Sequence, residues 1–518
     1  MQRSNMDPRA MQWAWMFACT AVCVALTIAL DGGVQIAREN HAGLLPVVRR
    51  LLDPSHLPGD FGIELRAHHH RVFAWMVAGL ASVMGETRAF VVLTISGYAS
   101  VFAAVWALGH ALRLDAARIT WLCIALASGA LFLDHGVEAN RLLGNGPIMP
   151  PTFAHAALLG AIAAMVAQRW NLACALTGAA VLVHLQIGAI GLVVLAVVLI
   201  ALGIWRQPRA WLPGLVAGLL IATPAWLDLW ALSQQGLTDG IGQLDDVAFR
   251  MPQHFEFHGN RVAAVLVYVF ALLACVRRWH RRIDVRARLF APVTCVVLTL
   301  VALCALHYLD YEVLRTGVIS RIQLLRLSVL LPVLGACALL ATRPAQDAHA
   351  LRRQRVAFVL AAAVFAGGAL ANAARGDAPP TLRVIDHSRD ASDWADACRW
   401  IRASGPVALY VTPPGQTGFA AFARRSTLVE FKVNPDGGAG LVEWQSRLSA
   451  LSGGRLPVPR TRAQVATALD AAYAQRDSAD FARLRAQYGV THAVLPSDSS
   501  ATGTVLYRNP SYRVVALP

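Results

Sequence analysis

The chain of 518 residues is rich in apolar side chains and poor in charged ones. Its hydrophobic fraction is 56% and its charged fraction 15%, whereas a typical soluble domain carries about 25% charged residues. The deficit lies in the first 373 residues, where apolar runs long enough to cross a bilayer recur from Met11 onward. This composition excludes an ordinary soluble protein and predicts a polytopic membrane protein.

The net charge of +15 comes from 46 basic and 31 acidic residues, and Lys432 is the single lysine. The arginines gather at the ends of apolar runs, where they orient a membrane protein against an anionic leaflet. A nucleic-acid-binding protein would instead cluster its cations on a soluble face among aromatic side chains. The charge pattern therefore excludes nucleic acid as a partner. The nine cysteines form neither a disulfide framework nor a CxxC metal motif.

The first predicted helix covers residues 11–30, after Arg3 and Arg9, and it ends at Asp31 without a small-residue cleavage site. It is therefore interpreted as a retained membrane anchor and not as a cleaved signal peptide. A long outer loop, residues 31–88, follows. Apolar residues at helical spacing in 44–52 and the short run 72–84 predict two helices that lie in the membrane interface.

Eleven crossings are predicted in this way. Their positions are residues 11–30, 89–112, 119–133, 151–168, two short crossings within 171–205 that are broken near His184, 211–232, 262–276, 289–307, 324–340 and 356–373. With the amino terminus in the cytoplasm, the arginine-dense short connections lie inside, including the six arginines of 277–288. Counting 72–84 as a crossing would move those six arginines outside, which argues against it.

The composition changes near residue 374. Helix-like segments at 390–402 and 441–451 alternate with strand-like runs at 407–411, 491–495, 504–507 and 512–516, which predicts an α/β domain. The predicted organisation is an α-helical transmembrane domain, 1–373, and an α/β domain, 374–518. An odd number of crossings places that second domain in the periplasm of a bacterium, with the protein in the inner membrane.

Polar side chains collect in the predicted outer loops. The first loop supplies Asp31, Glu39, His41, Asp60 and His68, the second supplies Asp134, His135, Glu138 and Arg141, and the third supplies Arg250 and His254. Carboxylates at a membrane boundary suit general-base chemistry, because partial desolvation raises the carboxyl pKa toward neutrality. The alternative is that these residues only keep the loops solvated. Glu39 and Asp134 are favoured because each follows the outer end of a crossing.

Arg326 lies inside the apolar run 324–340, and Arg321 lies just before that run. An arginine at such a position is costly unless it is paired or faces a cavity. A guanidinium binds phosphate through two parallel hydrogen bonds, so a lipid phosphate is one natural partner. Extension of the side chain to the interface is the other interpretation. The histidine spacings at 68–70 and 254–258 match no recognised metal motif, and the metal stays unknown.

The order of these elements resembles the GT-C glycosyltransferase superfamily: one crossing, a long acidic outer loop with two interfacial helices, short-looped crossings and an outer α/β domain. Several short sequence motifs are similar to motifs of bacterial membrane proteins with that architecture. They are Leu52-Asp53-Pro54, Leu57-Pro58-Gly59-Asp60, the run Arg250 to Phe255, Trp400-Ile401-Arg402 and Thr412-Pro413-Pro414. The superfamily has an adjacent acidic pair in the first loop, whereas here Asn40 follows Glu39.

The resemblance implies transfer of a sugar from a polyprenyl-phosphate donor to an acceptor. Glu39 or Asp31 would then be the base, and Asp134 or Glu138 would position it or hold a divalent metal ion. Arg326, Arg321 and Arg250 would bind the lipid phosphate. Two other classes stay open: a non-catalytic assembly or scaffold protein, and a lipid or polysaccharide transporter. A transporter would show inverted internal repeats, and the sequence shows none.

The predicted threading is tested with reporter fusions. Alkaline phosphatase fused after Pro518 is expected to be active, because the carboxyl end is predicted to lie outside, whereas the same enzyme fused after Arg288 is expected to be inactive. β-Galactosidase fusions at the same two positions are the control. They are expected to be inactive after Pro518 and active after Arg288. Phosphatase activity after Arg288 but not after Pro518 would reverse the assignment of the two membrane faces.

Overall fold

A computed structural model describes residues 8–66, 68, 70–138, 140–144, 146–234, 254–342, 363, 367, 380–435, 438–454, 456 and 462–518. The chain forms two compact units, and each unit is built from separate stretches of sequence. The first unit comprises Met1–Val34, Val91–Trp226 and His254–Arg383. The second comprises Gln35–Phe90, Leu227–Gln253 and Val384–Pro518. The predicted boundary at 373 lies outside the described residues.

The α-helices of the described residues are α1 (Pro8–Leu30), α2 (His41–Leu52), α3 (Phe61–Leu65), α4 (Arg71–Met84), α5 (Glu86–Ala111), α6 (Ala116–Ala127), α7 (Pro150–Val166), α8 (Trp170–Val183), α9 (Leu185–Ala201), α10 (Pro208–Ile221), α11 (Thr223–Gln234), α12 (Gly259–Arg281), α13 (Val285–Leu289), α14 (Ala291–Tyr308), α15 (Leu330–Ala341), α16 (Asp393–Ser404), α17 (Phe419–Ala423), α18 (Gly438–Leu451), α19 (Arg462–Ala474) and α20 (Ser478–Tyr488). The strands are β1 (Val34–Ile36), β2 (Val384–Asp386), β3 (Leu409–Val411), β4 (Ser426–Thr427), β5 (His492–Pro496), β6 (Thr504–Arg508) and β7 (Tyr512–Ala516).

Several helices of the described residues are long and apolar enough to cross a bilayer, so the chain is a membrane protein. Five meet this condition alone: Ala10–Leu30, Glu86–Ala111, Gly259–Arg281, Ala291–Leu314 and Leu324–Ala341. A sixth candidate is the pair α10 and α11, which is bent by 56°. The count of eleven and the orientation stay predictions. The eleventh predicted crossing, 356–373, lies outside the described residues except at two positions.

Shorter apolar helices occupy the other predicted crossings. Helices α6 to α9 contain between 12 and 17 residues, less than the roughly 20 that a straight crossing needs. The break between α8 and α9 lies at His184, whose backbone is extended, as predicted. Helix α4, at 14 residues, covers the run that was predicted to be too short to cross.

Helices α8 and α10 of the first unit approach each other closely because glycines line their contact. A Cβ atom added to Gly178 of α8 would lie 2.3 Å from the Cα of Gly218 in α10. A Cβ added to Gly214 would lie 2.0 Å from the carbonyl oxygen of Asn171. The pair Gly214 and Gly218 therefore acts as a small-xxx-small motif, which allows membrane helices to pack backbone against backbone.

The second unit contains a five-stranded sheet in the order β4-β3-β5-β7-β6. Strand β3 pairs in parallel with β4 and β5, and β7 pairs antiparallel with β5 and β6. Helices α18, α19 and α20 contribute Trp444, Leu469, Tyr473 and Phe481 to its hydrophobic core. Helix α2, which lies in the loop predicted to be outside the membrane, packs against α4 and α17. The loop and the carboxyl-terminal residues therefore fold into one unit.

Helix α20 shows how local sequence sets the ends of an element. At its start the Asp477 carboxylate accepts the backbone N–H of Asp480, and the Asp480 carboxylate accepts the N–H of Asp477. This reciprocal capping box satisfies two donors that would otherwise lack partners. At its end Gly489 has a φ of +70°, the left-handed conformation that glycine adopts without steric cost.

Replacement of Gly218 by valine is expected to destabilise the first unit by about 2–4 kcal/mol, since overpacking at a close helix contact forces the backbones apart. The measurement is the thermal unfolding midpoint of the full chain in detergent micelles. Gly79→Ala is the matched control, because a Cβ at Gly79 in α4 would meet no atom within 4 Å. Equal midpoints for Gly218→Val and Gly79→Ala would refute the proposed role of this contact.

Candidate functional site

The segment between α6 and α7, residues 128–149, carries two carboxylates that are wholly buried. Asp134 and Glu138 are both 0% exposed. Arg141 Nε donates a 2.6 Å hydrogen bond to Asp134 Oδ2, and His135 Nδ1 lies 2.7 Å from Oδ1. Burial of an ionised carboxylate is costly unless a cation and hydrogen bonds compensate it. Asp134 has both.

Glu138 is held by residues from its own segment and from the region around the start of α12. Asn140 Nδ2 donates to Oε1 at 2.6 Å, and His254 Nδ1 lies 3.0 Å from Oε2. Arg261 Nη1 donates to the backbone oxygen of Glu138 at 2.7 Å. The segment is therefore fixed to residues more than one hundred positions away. The predicted residues Asp134, Glu138 and His254 belong to one polar cluster.

Asp31 is joined to this cluster through a short turn. Arg141 Nη1 donates to the carbonyl of Gly144 at 3.2 Å, and the backbone N–H of Gly146 donates to Asp31 Oδ2 at 3.1 Å. Gly146 has a φ of +82°, so glycine suits this turn. Unlike Asp134 and Glu138, Asp31 is partly exposed. Among the cluster's carboxylates it is therefore the best placed to meet a substrate.

Arg326 lies on a 3-10 segment, Leu324–Val329, that precedes α15. Its Nε donates to Gln323 Oε1 at 2.5 Å, and its Nη1 lies 3.3 Å from His184 Nε2. Two residues further on, Ser328 Oγ accepts the backbone N–H of Val137 at 2.9 Å. The segment that carries Arg326 thus also anchors the carboxylate-bearing loop. Arg326 is partly exposed, and its guanidinium has the polar partners that its apolar surroundings require.

Glu39, the other predicted base, belongs to the second unit. Lys432 Nζ lies 3.0 Å from Glu39 Oε2, and the Glu39 side chain is 53% exposed while that of Lys432 is 8% exposed. The backbone of Glu39 is left-handed, with a φ of +50°. The sequence's single lysine therefore holds this carboxylate in place while leaving it accessible to solvent.

The remaining predicted residues have structural contacts or lie outside the described part. His41 is buried, and its ring centroid lies 4.2 Å from that of Phe90 with the two planes tilted by 34°. His68 Nδ1 lies 2.9 Å from Asp228 Oδ1, an oxygen that Arg71 also contacts at 2.8 Å. Arg250 lies outside the described residues, and so does the side chain of Arg321.

The divalent metal ion that the resemblance implies does not fit the polar cluster. The oxygens of Asp134 already contact Arg141 and His135, and those of Glu138 contact Asn140 and His254. In the described part of the chain, no group of three or more His, Cys, Asp or Glu side chains could hold a metal ion. The groups available for chemistry at this site are therefore the protein's own side chains and backbone amides.

Asp60 is the last of the predicted site residues. It does not belong to the polar cluster of the first unit but lines a pocket of the second unit together with Glu430. Its Oδ1 accepts the backbone N–H of Ile63 at 3.0 Å and so caps α3. Glu430 accepts the backbone N–H of Gly418 at 2.9 Å and that of Ala420 at 3.2 Å. Burial raises the pKa of Glu430 to about 7, and the nearby Asp60 carboxylate adds to that rise.

Several site residues were not identified from the sequence, among them Asn140, Arg261 and Glu430. Two of them carry a signal that could have been used. Arg261 precedes the apolar run 262–276 at its predicted outer end, where the orientation rule places few arginines. Glu430 is the one acid in the otherwise apolar stretch 428–431. A charged residue in either context suggests a buried partner.

Comparisons with known proteins give limited matches. Residues 392–451 match a family model described as Domain of unknown function (DUF6798), a small part of the chain. No curated protein matches the sequence. One similar solved structure is the archaeal oligosaccharyltransferase AglB from Archaeoglobus fulgidus, in complex with an inhibitory peptide and a dolichol-phosphate. It is 12% identical, the match covers 93% of this chain and 69% of that chain, and the TM-score is 0.45. Values this low do not establish a shared fold or function.

The raised pKa of Glu430 predicts how stability depends on pH. From its ordinary pKa of 4.5 up to about 7, the unfolded chain loses the Glu430 proton while the folded chain keeps it. The free energy of unfolding should therefore fall by about 3 kcal/mol as the pH rises through this range. The change in the free energy of unfolding is measured by thermal unfolding at pH 5 and at pH 8. Hydrogen exchange at the Gly418 and Ala420 amides, at the same two pH values, is the second measurement.

Glu430→Gln should remove most of this dependence, because the glutamine has no proton to lose. Glu443→Gln, on an exposed side chain of α18, is the matched control and should behave as the wild-type protein does. The same pH dependence in Glu430→Gln and in the wild-type protein would contradict the assignment.

Proposed function

We propose that this membrane protein transfers a sugar from a polyprenyl-phosphate donor to an acceptor hydroxyl. The observation that carries the proposal is the polar network of the first unit. In it, the partly exposed Asp31 is held by a loop that is anchored to the same 3-10 segment as Arg326. A carboxylate and a guanidinium supported by one network at the ends of apolar helices suit a substrate that is part lipid, part phosphate and part sugar.

The proposed reaction assigns one role to each of these two groups. Asp31 accepts the proton of the acceptor hydroxyl as its oxygen attacks the anomeric carbon of the sugar. The bond from that carbon to the lipid phosphate breaks, and negative charge develops on the phosphate oxygens. Arg326 stabilises this charge with its planar array of N–H donors.

Asp134 and Glu138 are positioning residues in this proposal. Both are wholly buried, so neither can reach a substrate directly. Asp134 orients Arg141, which holds the turn that donates to Asp31. Glu138 fixes the same loop to His254, which lies just before α12.

Glu39 is the alternative base. Its side chain is exposed, and Lys432 Nζ lies 3.0 Å from its carboxylate. The location in a bacterial inner membrane, with the carboxyl-terminal part in the periplasm, belongs to the same proposal. There that part would contribute to acceptor choice.

A second candidate function is that of a non-catalytic scaffold. It is favoured by the complete pairing of Asp134 and Glu138, since such a network also suits a purely structural role. Turnover separates the two candidates, because a scaffold releases no lipid phosphate.

The test measures release of polyprenyl phosphate by the purified full chain from a panel of polyprenyl-phosphate-linked monosaccharides, with sugar alcohols and peptides as acceptors. Asp31→Asn should lower kcat by about 100-fold or more, the usual contribution of a general base. Arg326→Gln should lower it by a similar factor, and Arg326→Lys by less because the charge is kept. Asp53→Asn, on an exposed residue of the first outer loop, is the control.

The outcomes distinguish the candidate bases. A large loss in Glu39→Gln with normal turnover in Asp31→Asn would move the base to Glu39. Normal turnover in both variants would refute both assignments. No release by the wild-type protein from any donor would leave the scaffold function.

A further inference from the structure

An ion pair of the second unit joins the end of α2 to the start of α5. Arg49 donates to both carboxylate oxygens of Glu86, from Nε to Oε1 and from Nη2 to Oε2, each at 2.8 Å. The remaining nitrogen, Nη1, donates to the backbone carbonyl of Ala421 in α17. Arg424 follows three residues after Ala421. Arg49 therefore has an acceptor at each of its three nitrogens, and it brings the end of α17 close to the ion pair.

Two further arginines act on this ion pair, and the three residues Arg49, Arg402 and Arg424 form the arginine cluster. Burial lowers the pKa of the Arg424 guanidinium, and the positive charges of Arg49 and Arg402 lower it further. Glu86 opposes this effect. Arg402 is an exposed residue in the last turn of α16. Since both oxygens of Glu86 are held by Arg49, three positive charges meet one carboxylate that is already paired.

The side chain of Arg424 has no hydrogen-bond acceptor among the described residues. Its Nε is buried and unpartnered, while the residue as a whole is partly exposed. A guanidinium carries five N–H donors, and leaving buried donors without an acceptor is costly. The neighbouring His56 adds no charge near pH 7, because burial, followed by the charges of Arg49 and Arg424, lowers its pKa to about 4. An anionic acceptor from outside the unit would satisfy Arg424.

The arginine cluster lies at the end of a helix that is long and apolar enough to cross a bilayer, because Glu86 is the first residue of α5. Large apolar side chains near the ion pair in the sequence are exposed. Leu51 and Leu52 follow Arg49 on α2, and Val83, three residues before Glu86, is 84% exposed. Arginines beside exposed apolar side chains at the end of a membrane helix are typical of a surface that contacts lipid headgroups.

We propose that the arginine cluster binds the phosphate of an anionic membrane lipid, with Arg402 and Arg424 donating to the phosphate oxygens and the acyl chains lying beside the exposed apolar residues of α2 and α4. Guanidinium groups bind phosphate through charge-assisted hydrogen bonds. The phosphate supplies the acceptor that Arg424 lacks and the negative charge that the cluster lacks. The site would fasten the second unit to the bilayer surface. It does not involve Asp31 or Arg326 and is independent of the proposed transfer reaction.

Other ligand classes match the arginine cluster less well. A metal cation would be repelled by the excess of positive charge. A soluble organic phosphate would satisfy the arginines but leave the exposed leucines of α2 uncovered. An acidic segment of a partner protein would supply carboxylates. The position at the end of a membrane-crossing helix favours a ligand that is itself held in the bilayer.

The test is isothermal titration calorimetry of the full chain in nonionic detergent micelles, with dioctanoyl phosphatidylglycerol as the probe. It should bind at one site per chain. Its affinity should exceed that of dioctanoyl phosphatidylcholine by about fivefold or more, because the choline group compensates the phosphate charge. Glycerol 1-phosphate, which lacks the acyl chains, should bind about tenfold more weakly than the lipid or worse.

Arg424→Gln should weaken phosphatidylglycerol binding about tenfold, the loss expected for one charge-assisted hydrogen bond. Arg402→Gln should weaken it by a similar factor, and Arg424→Lys by less because the charge is kept while the planar array of donors is lost. Arg483→Gln is the matched control, since it removes one positive charge from a side chain of α20 that is 74% exposed. It should change the affinity less than about twofold.

Several outcomes would overturn the proposal. Equal affinity of the wild-type protein for phosphatidylglycerol and phosphatidylcholine would do so without reference to any variant. Unchanged binding in both Arg424→Gln and Arg402→Gln would do so as well. Glycerol 1-phosphate that binds as tightly as the lipid would assign the cluster to a soluble phosphate, and displacement of the lipid by an equimolar hexaglutamate peptide would assign it to an acidic protein. Because no sugar donor is present, none of these outcomes depends on the transfer reaction.

Discussion

The ion pair between Asp134 and Arg141 is the interaction on which the candidate site depends. An ionised carboxylate that is wholly buried is costly unless a cation and hydrogen bonds compensate it. Here the compensating guanidinium has a second function, since its other nitrogen holds the carbonyl of Gly144. The turn that follows then donates to Asp31. Removal of one partner of such a pair typically costs about 3–5 kcal/mol, and in this loop it would also release Asp31.

The groups that contact buried carboxylates differ between the two units. In the first, Asp134 and Glu138 contact arginine, histidine or asparagine side chains. In the second, Glu430 has backbone donors, and its pKa is raised to about 7 because burial is not offset by a cation in the pocket wall. The first arrangement orders a loop, whereas in the second the backbone N–H groups of Gly418 and Ala420 hold the carboxyl group.

Local signals in the sequence predicted many of the elements. Hydropathy located α1 and α5, and the polar group at His184 located the break between α8 and α9. Strands β5 and β7 lie within one residue of the predicted runs, because turn residues and β-branched residues mark both ends. Helix lengths were predicted less well. Residues 119–133 were predicted to be one crossing, but α6 ends at Ala127 and Gly129 turns the chain with a φ of +63°.

Contacts between distant residues could not be predicted from local patterns. The pairs Glu138 with His254 and Glu39 with Lys432 join parts of the chain that lie far apart in the sequence. Periodicity and turn chemistry report only on neighbours within about one helical turn. The grouping of Gln35–Phe90 with Val384–Pro518 in one unit could not be predicted for the same reason. It depends on packing between α2 and α17, which lie far apart in the sequence.

The discontinuous composition of the second unit has a consequence for biosynthesis. Residues 35–90 are synthesised well before residue 384, and at about 5–20 residues per second the ribosome needs roughly 15–60 s to translate the intervening stretch. During that interval Leu44, Leu45 and Val48 of α2, which are buried in the folded chain, have no completed unit to cover them. An amphipathic helix in that state binds readily to a lipid surface. We therefore expect this segment to lie on the bilayer surface until translation reaches the carboxyl end.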